Sequence, residues 1–317
     1  MTAVFLTVLE QMLRILLFLG LGFALNRLHI LPKGVGSGIS KLVTMVFLPA
    51  LLIHSNMTEF NLANVATYGK IVLTGAAFFV VIVLLSHPVA RKLAGDNAQD
   101  KGIYLYGLSF PNTGAVGMPL ALALLGTAGL FQFNLFLLAS SIMTYLWGIG
   151  LFLPGEKKNT PKRFLKNLAN PICISMLIGL FLGALGAKDW MPALVTNFAK
   201  DLSACYVPVS LIMAGYSIAD YPLKEVFNRP KAYWFSLVRL VMIPLLVILA
   251  SRGLGLSKFL AILAVLDFAG PGGMNTVVFP AAYGQDCRTG ASIVLLSSLG
   301  SVLTVPLLYT LVQFLFG

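Results

Sequence analysis

Ser109-Phe110-Pro111-Asn112-Thr113-Gly114-Ala115-Val116-Gly117-Met118-Pro119 lies in the middle of one apolar run, and Asp267-Phe268-Ala269-Gly270-Pro271-Gly272-Gly273-Met274-Asn275-Thr276 in the middle of another. Proline has no N–H and clashes with the preceding turn. Glycines beside it lower the cost of leaving helical geometry. Both stretches are therefore predicted to unwind halfway along helices that would otherwise cross a bilayer. Irregular backbone at that depth is tolerated only inside protein or beside a watery cavity. Two such breaks, each with an Asn-Thr pair, mark the expected substrate site. It comprises Asn112, Thr113 and Gly114 from the first break, and Gly272, Gly273, Asn275 and Thr276 from the second, with Pro111 and Pro271 at the breaks themselves. Half-helices starting there would offer N–H groups and a positive dipole end, which suit an anion. The competing reading is a pair of packing kinks, which is how the lone prolines Pro49, Pro208, Pro244 and Pro306 are read.

The rest of the chain sets these breaks in a membrane. Of 317 residues, 58% are hydrophobic and 10% charged, and the mean hydropathy is +0.90. A soluble domain carries about 25% charged residues, so this chain has too few to cover a water-facing surface. Ten apolar runs are long enough to span, at roughly 5–26, 39–57, 66–87, 102–125, 131–153, 169–187, 203–219, 232–251, 258–282 and 290–316. The expected fold is an all-α membrane protein of ten transmembrane helices, the fourth and ninth broken. Glu10 and Arg14 interrupt the first run and no small-residue cleavage site follows, so it is read as a retained span.

The net charge of +11 does not form a nucleic-acid patch, because the basic residues sit singly in the gaps between runs. With the amino terminus outside, inward connections hold Arg27, Lys33, Lys41, Arg91, Lys92, Lys101, Lys157, Lys158, Lys162, Arg163, Lys166, Lys224, Arg229, Lys231 and Arg288. Outward ones hold only Lys70, Lys188, Lys200, Arg252 and Lys258. That bias places both termini outside.

The two halves echo each other. Phe47-Leu48-Pro49-Ala50-Leu51-Leu52-Ile53 is similar to Tyr206-Val207-Pro208-Val209-Ser210-Leu211-Ile212 at an offset of 159, Gly20 to Gly179 at the same offset, and Pro111 to Pro271 at 160. The domains follow: 1–153 as a first five-helix repeat, 154–168 as a basic cytoplasmic connection, and 169–317 as a second repeat. Five is odd, so the second repeat enters the membrane from the opposite side. Inverted repeats are common in secondary transporters.

Charged groups inside the runs are few. Asp267 is the one acidic residue deep in a run, four positions before Pro271. It is read as a coupling-ion candidate, against the alternative of a structural pair with Arg239. His54 is a second coupling candidate, against the reading of an interfacial residue satisfied by water. Arg239 is the cation that an anionic substrate could meet. Glu10 and Arg14, one turn apart, are read as a local pair. Cys173, Cys205 and Cys287 form no CxxC pair and read as packing cysteines, and His29, His54 and His87 are too far apart in sequence to suggest a metal site. No cofactor is expected beyond H+ or Na+ coupling.

At Pro111-Asn112-Thr113-Gly114-Ala115-Val116-Gly117-Met118-Pro119-Leu120, followed by Gly126, the sequence resembles the auxin efflux carrier family. These membrane carriers include plant auxin exporters and bacterial malate and malonate carriers. The resemblance continues through Phe47-Leu48-Pro49-Ala50-Leu51, Asn170-Pro171, Val207-Pro208-Val209-Ser210-Leu211, Pro271-Gly272-Gly273, Phe279-Pro280-Ala281-Ala282-Tyr283-Gly284 and Leu303-Thr304-Val305-Pro306-Leu307. It implies two inverted five-helix repeats divided into scaffold and transport parts. Helices 4 and 9 would cross at Pro111 and Pro271, with an organic anion near Asn112. A homodimer and a bacterial inner (cytoplasmic) membrane location are further implications. The chain departs from many plant members in lacking a long central hydrophilic loop, and its second break is richer in glycine.

The function expected is secondary active transport of a small organic anion, a carboxylate or auxin-like weak acid, by alternating access. A passive anion channel or facilitator shares the spans and polarity but fits paired breaks less well. An intramembrane enzyme would need a nucleophile or metal constellation, and neither a helical HExxH nor a Gly-x-Ser-x-Gly is present.

Overall fold

The computed structural model describes residues 2–32, 35–152, 171–220, 224, 227–282 and 284–317. The basic connection expected at 154–168 lies outside them. Among the described residues there is no strand, only one isolated antiparallel bridge, between Pro111 and Gly272.

In chain order, α1 is Thr2–Arg27, α2 Val35–Leu42, α3 Leu48–Glu59, α4 Val65–Ala94, α5 Ala98–Ser109, α6 Met118–Phe136 and α7 Leu138–Leu146. Then follow α8 Pro171–Ala184, α9 Ala193–Ala204, α10 Tyr206–Ile218, α11 Pro230–Leu237, α12 Ile243–Gly253, α13 Lys258–Phe268, α14 Asn275–Ala282 and α15 Arg288–Leu315. Several of these join end to end. Seven helical stretches are long and apolar enough to cross a membrane: Val4–Arg27, Gly38–Glu59, Leu62–Ala94, Thr113–Phe136, Ala193–Ile218, Pro230–Gly253 and Arg288–Leu315. Two shorter apolar ones are Leu138–Phe152 and Pro171–Ala184.

The ten runs read from sequence therefore do not all become full-length helices. The ninth is divided into α13 and α14, each too short to span alone. The fourth is divided as well: α5 ends at Ser109, and its second half begins at Thr113. That second half stops at Gly126, where φ of 68° and ψ of −169° turn the chain. The apolar residues of α6 past this kink, up to Phe136, form a separate helical segment, so helix along the fifth run starts earlier than 131. Along the seventh run helix begins at Ala193 rather than 203. Lys200 and Asp201 lower the local hydropathy there and hide the helix from an apolar count.

Prolines shape three elements through one device. The π turns Val43–Phe47, Thr113–Gly117 and Val238–Met242 each end two residues before a proline, Pro49, Pro119 and Pro244 respectively. A helical proline removes one N–H and displaces the carbonyl four residues earlier. That carbonyl falls inside the turn in every case, and widening the turn accommodates it. Pro306 sits inside α15 without such a turn.

Two helices are central. Gly102 through Ser109 of α5 are all buried, as are Ala261 through Phe268 of α13. A helix buried on every side is a core helix. The outer faces are the reverse: Leu17, Leu73, Leu194 and Leu249 are 74%, 71%, 81% and 68% exposed. Apolar surface of that extent on so many helices is suited to lipid rather than water. On the periphery α1 packs on α10 and α3 on α8. The first pair meets backbone to backbone: a Cβ on Gly22 would lie 1.8 Å from Ile212 O, and one on Gly215 would lie 1.9 Å from Leu19 O. Small residues permit such approach where there is no water to drive helix association.

Candidate functional site

The two breaks meet. Phe110 leaves α5 in an extended conformation, with φ of −116° and ψ of 103°. Asn112 N donates to Pro271 O at 2.8 Å, and Gly273 N donates to Phe110 O at 3.2 Å. These are the two bonds of the Pro111–Gly272 bridge. Each break thereby satisfies backbone groups that unwinding had exposed. Gly273 is held to its size by this contact, since a Cβ there would lie 2.8 Å from Phe110 O. Gly272 N finds its acceptor on a third element, donating to Ser297 Oγ of α15 at 3.0 Å.

Two half-helices start at the bridge. Asn112 caps the first, its Oδ1 accepting from Ala115 N at 3.3 Å. Side-chain oxygens at this position satisfy one of the orphan donors of a helix start. Tyr206 of α10 donates its hydroxyl to Gly114 O at 2.9 Å. The second half-helix, α14, starts at Asn275, whose Nδ2 donates to Tyr106 Oη at 2.8 Å. Thr276 donates twice to Gly273 O, from N at 3.1 Å and from Oγ1 at 2.8 Å.

Exposure divides the residues proposed from sequence. Asn112, Thr113, Gly114 and Asn275 are half-buried, whereas Pro111, Pro271, Gly272, Gly273 and Thr276 are buried. The first four retain accessible surface. The others hold the bridge together.

The half-helices that end at the breaks carry the opposite dipole. Both are met by Arg239, which is fully buried in the π turn Val238–Met242. Its Nε donates to Gly270 O and its Nη1 to Leu108 O, each at 3.0 Å. A cation at helix carboxyl ends is favourable for the dipole and for the orphan carbonyls. Asp267, 2% exposed, acts electrostatically on Arg239. Of the structural Asp267–Arg239 pair only a through-space attraction is present: no hydrogen bond joins them, and Asp267 Oδ1 and Arg239 Nη2 have no hydrogen-bond partner.

His54 is on α3, half-buried, and the charge acting on it is Lys200 of α9. No hydrogen bond among the described residues joins it to the breaks. Arg14 Nη2 donates to Glu10 Oε1 at 2.5 Å, the local pair the spacing suggested. A cavity of about 350 Å³ opens beside that pair, between α1, the start of α6 and α9–α10, lined by Gln11, Arg14, Phe18, Pro119, Ser203 and Val207. Among the described residues no group of three or more His, Cys, Asp or Glu could hold a metal ion.

Sequence reading missed Tyr106, Tyr206 and Ser297. Tyr206 had a faint signal, standing where the first repeat has Phe47. Ser297 had none, because a serine in an apolar helix is common and only the fold decides what faces it.

Comparison with known proteins agrees with a membrane protein built of apolar helices. The family described as "membrane transport protein" matches residues 7–309. The chain is also similar to an uncharacterized transporter of Methanocaldococcus jannaschii, at 22% identity over 306 residues, covering 94% of this chain and 97% of that protein. With a family match over nearly its whole length and seven helices fit to span, the chain is an integral membrane protein and belongs to the membrane transport protein family, that of the auxin efflux carriers.

Proposed function

We propose that this membrane transporter is a secondary active carrier of a small organic anion, a carboxylate or auxin-like weak acid, working by alternating access. The observation that carries the reading is the pair of half-helix amino-terminal ends brought together at the Pro111–Gly272 bridge. Asn112, Thr113, Gly114 and Asn275 are still half-exposed there. Converging N–H groups and positive dipole ends suit a carboxylate. Gly272, Gly273 and Thr276 complete the site as its frame, and Pro111 and Pro271 mark the crossing of helices 4 and 9.

The ten-helix inverted repeat belongs to this proposal, with repeats at 1–153 and 169–317. Its support is a reciprocal contact pattern. α1 packs on α10 while α3 packs on α8, which are the exchanged pairs a two-fold relation between the halves requires. On the α3 and α10 side the contacts fall at matched residues. Gly22 abuts Ile212 and Gly215 abuts Leu19, while Gly179 abuts both Ile53 and Asn56. Ile53 and Asn56 correspond to Ile212 and Gly215 at the offset of 159. Two halves related in this way can exchange conformations and open a midplane site to each side in turn.

Coupling to H+ or Na+ would run through Asp267 or His54, and Asp267 is the better placed, buried beside the breaks with Oδ1 unpartnered. A bacterial inner membrane with both termini outside, and assembly as a homodimer, complete the proposal. The deciding test is uptake into proteoliposomes of a panel of dicarboxylates and aromatic acids, with and without imposed H+ and Na+ gradients. Saturable anion uptake and exchange against internal anion are expected. Movement of a neutral solute alone would overturn the substrate class, and flux without exchange would favour a channel. In the same assay an Asp267→Asn variant with unchanged uptake and unchanged pH and Na+ dependence removes Asp267 from coupling.

A further inference from the structure

Arg239 has a role that neither its charge nor its depth announced. Its guanidinium forks between two carbonyl oxygens, Leu108 O at the end of α5 and Gly270 O just past α13. Those oxygens belong to the two helix ends whose dipoles are negative. Asp267, on the last turn of α13, is buried three residues before Gly270, and its carboxylate acts on Arg239 through space. Main-chain carbonyls at helix carboxyl ends together with a carboxylate are the donor set that alkali cations take in carriers with broken helices. Here a side chain fills the position. The filling is incomplete, because Asp267 Oδ1 and Arg239 Nη2 are both buried and neither has a hydrogen-bond partner. Buried polar atoms without partners are rare enough to mark a place with spare polar capacity.

We propose that Arg239 is a resident cation closing what would otherwise be a sodium site made by Leu108 O, Gly270 O and the Asp267 carboxylate. Arg239 is then a positioning residue: it fixes the two breaks against each other and takes the place of an exchangeable ion. The native protein therefore binds no sodium at this position, which leaves the proton as the coupling ion for Asp267 and any sodium coupling to His54. Replacing the guanidinium by a neutral oxygen donor opens the position to one. The charge balance is kept, since one monovalent cation replaces another against the same carboxylate and the same two helix ends.

Only the relevance of this clamp to transport rests on the carrier reading; the cation site is tested without transport. The purified protein in detergent is melted in sodium chloride and in choline chloride at equal ionic strength. The wild type is expected to melt at the same temperature in both. Arg239→Gln, whose amide oxygen joins the donor set, is expected to melt about 2–4 °C higher in sodium, through ligand binding to the folded state. Arg239→Gln with Asp267→Asn is expected to lose that difference. Arg239→Lys, which keeps a charge without the fork, is expected to be recovered in choline and to ignore sodium. Recovery of Arg239→Gln only when sodium is present throughout purification supports the proposal. Recovery in neither salt counts against it, because sodium is required to replace the guanidinium. A wild type stabilised by sodium, or a sodium effect of equal size in the double variant, overturns it. Failure of anion uptake in proteoliposomes would overturn the carrier reading while leaving these melting results to stand or fall separately.

Discussion

Asn112 caps a half-helix with its side-chain oxygen while staying half-exposed, so its local and its functional roles separate by substitution. Aspartate keeps the acceptor and is favoured by the dipole at that end. It also puts a negative charge where the anion is proposed to sit. Asn112→Asp is therefore expected to melt within a few degrees of the wild type, while anion uptake falls at least about tenfold, the cost of roughly 1.4 kcal/mol in binding. Asn112→Ala is expected to lose uptake as well and to be less stable by about 1 kcal/mol, the usual worth of a cap. Thermal unfolding and uptake, measured on the same preparations, check both. Wild-type uptake by Asn112→Asp would place the anion elsewhere. Asn112 and Asn275 stood out in the sequence because each comes shortly after a proline, with glycine nearby, in the middle of an apolar run. Arg239 was legible as a buried cation, but its partners were not: Leu108 lies 131 positions away in sequence.

At the scale of elements, the breaks and the π turns share a cause in proline, and the helix contacts share a cause in glycine. Gly20 was the residue whose repeat at 159 positions suggested matching halves, yet a Cβ on it would meet nothing within 4 Å. The packed glycines are Gly22 on α1 and Gly215 on α10, where a Cβ on the latter would lie 1.9 Å from Leu19 O. The contrast is testable by thermal unfolding in detergent. Gly215→Ala is expected to force α1 away from α10 and to cost about 1–3 kcal/mol or more. Gly20→Ala is expected to stay within about 0.5 kcal/mol of the wild type, as substitutions without neighbours do. Equal effects would mean that the α1–α10 contact is not the one described. Element ends were read least well from sequence: α9 starts ahead of its apolar run because its charged turn is helical without being hydrophobic.

For the whole molecule, the proposed orientation rests on the distribution of Lys and Arg in the sequence, fifteen on one side against five on the other when the amino terminus is placed outside. Reporter fusions test this directly. Alkaline phosphatase fused after Gly317 is expected to be active, and a fluorescent protein at the same place dark, with the reverse for fusions truncated within 154–168. An active phosphatase at 154–168 would invert the topology, and a cytoplasmic carboxyl terminus would break the even count of spans and with it the inverted repeat. In the proposed repeat, α1 on α10 and α3 on α8 are exchanged pairs.

By itself the sequence determined the solvent, the approximate number of apolar runs and the two places where helices must break. These depend on residue hydropathy and on the backbone limits of proline and glycine, which act locally whatever the rest of the chain does. Only the tertiary structure decided that the breaks pair with each other through Asn112 N to Pro271 O and Gly273 N to Phe110 O. It also decided that Tyr206, Tyr106 and Ser297 hold them, and that Arg239 clamps both negative helix ends. Those partners lie on different helices, and which faces meet is set by close packing across the bundle, a property no local pattern carries.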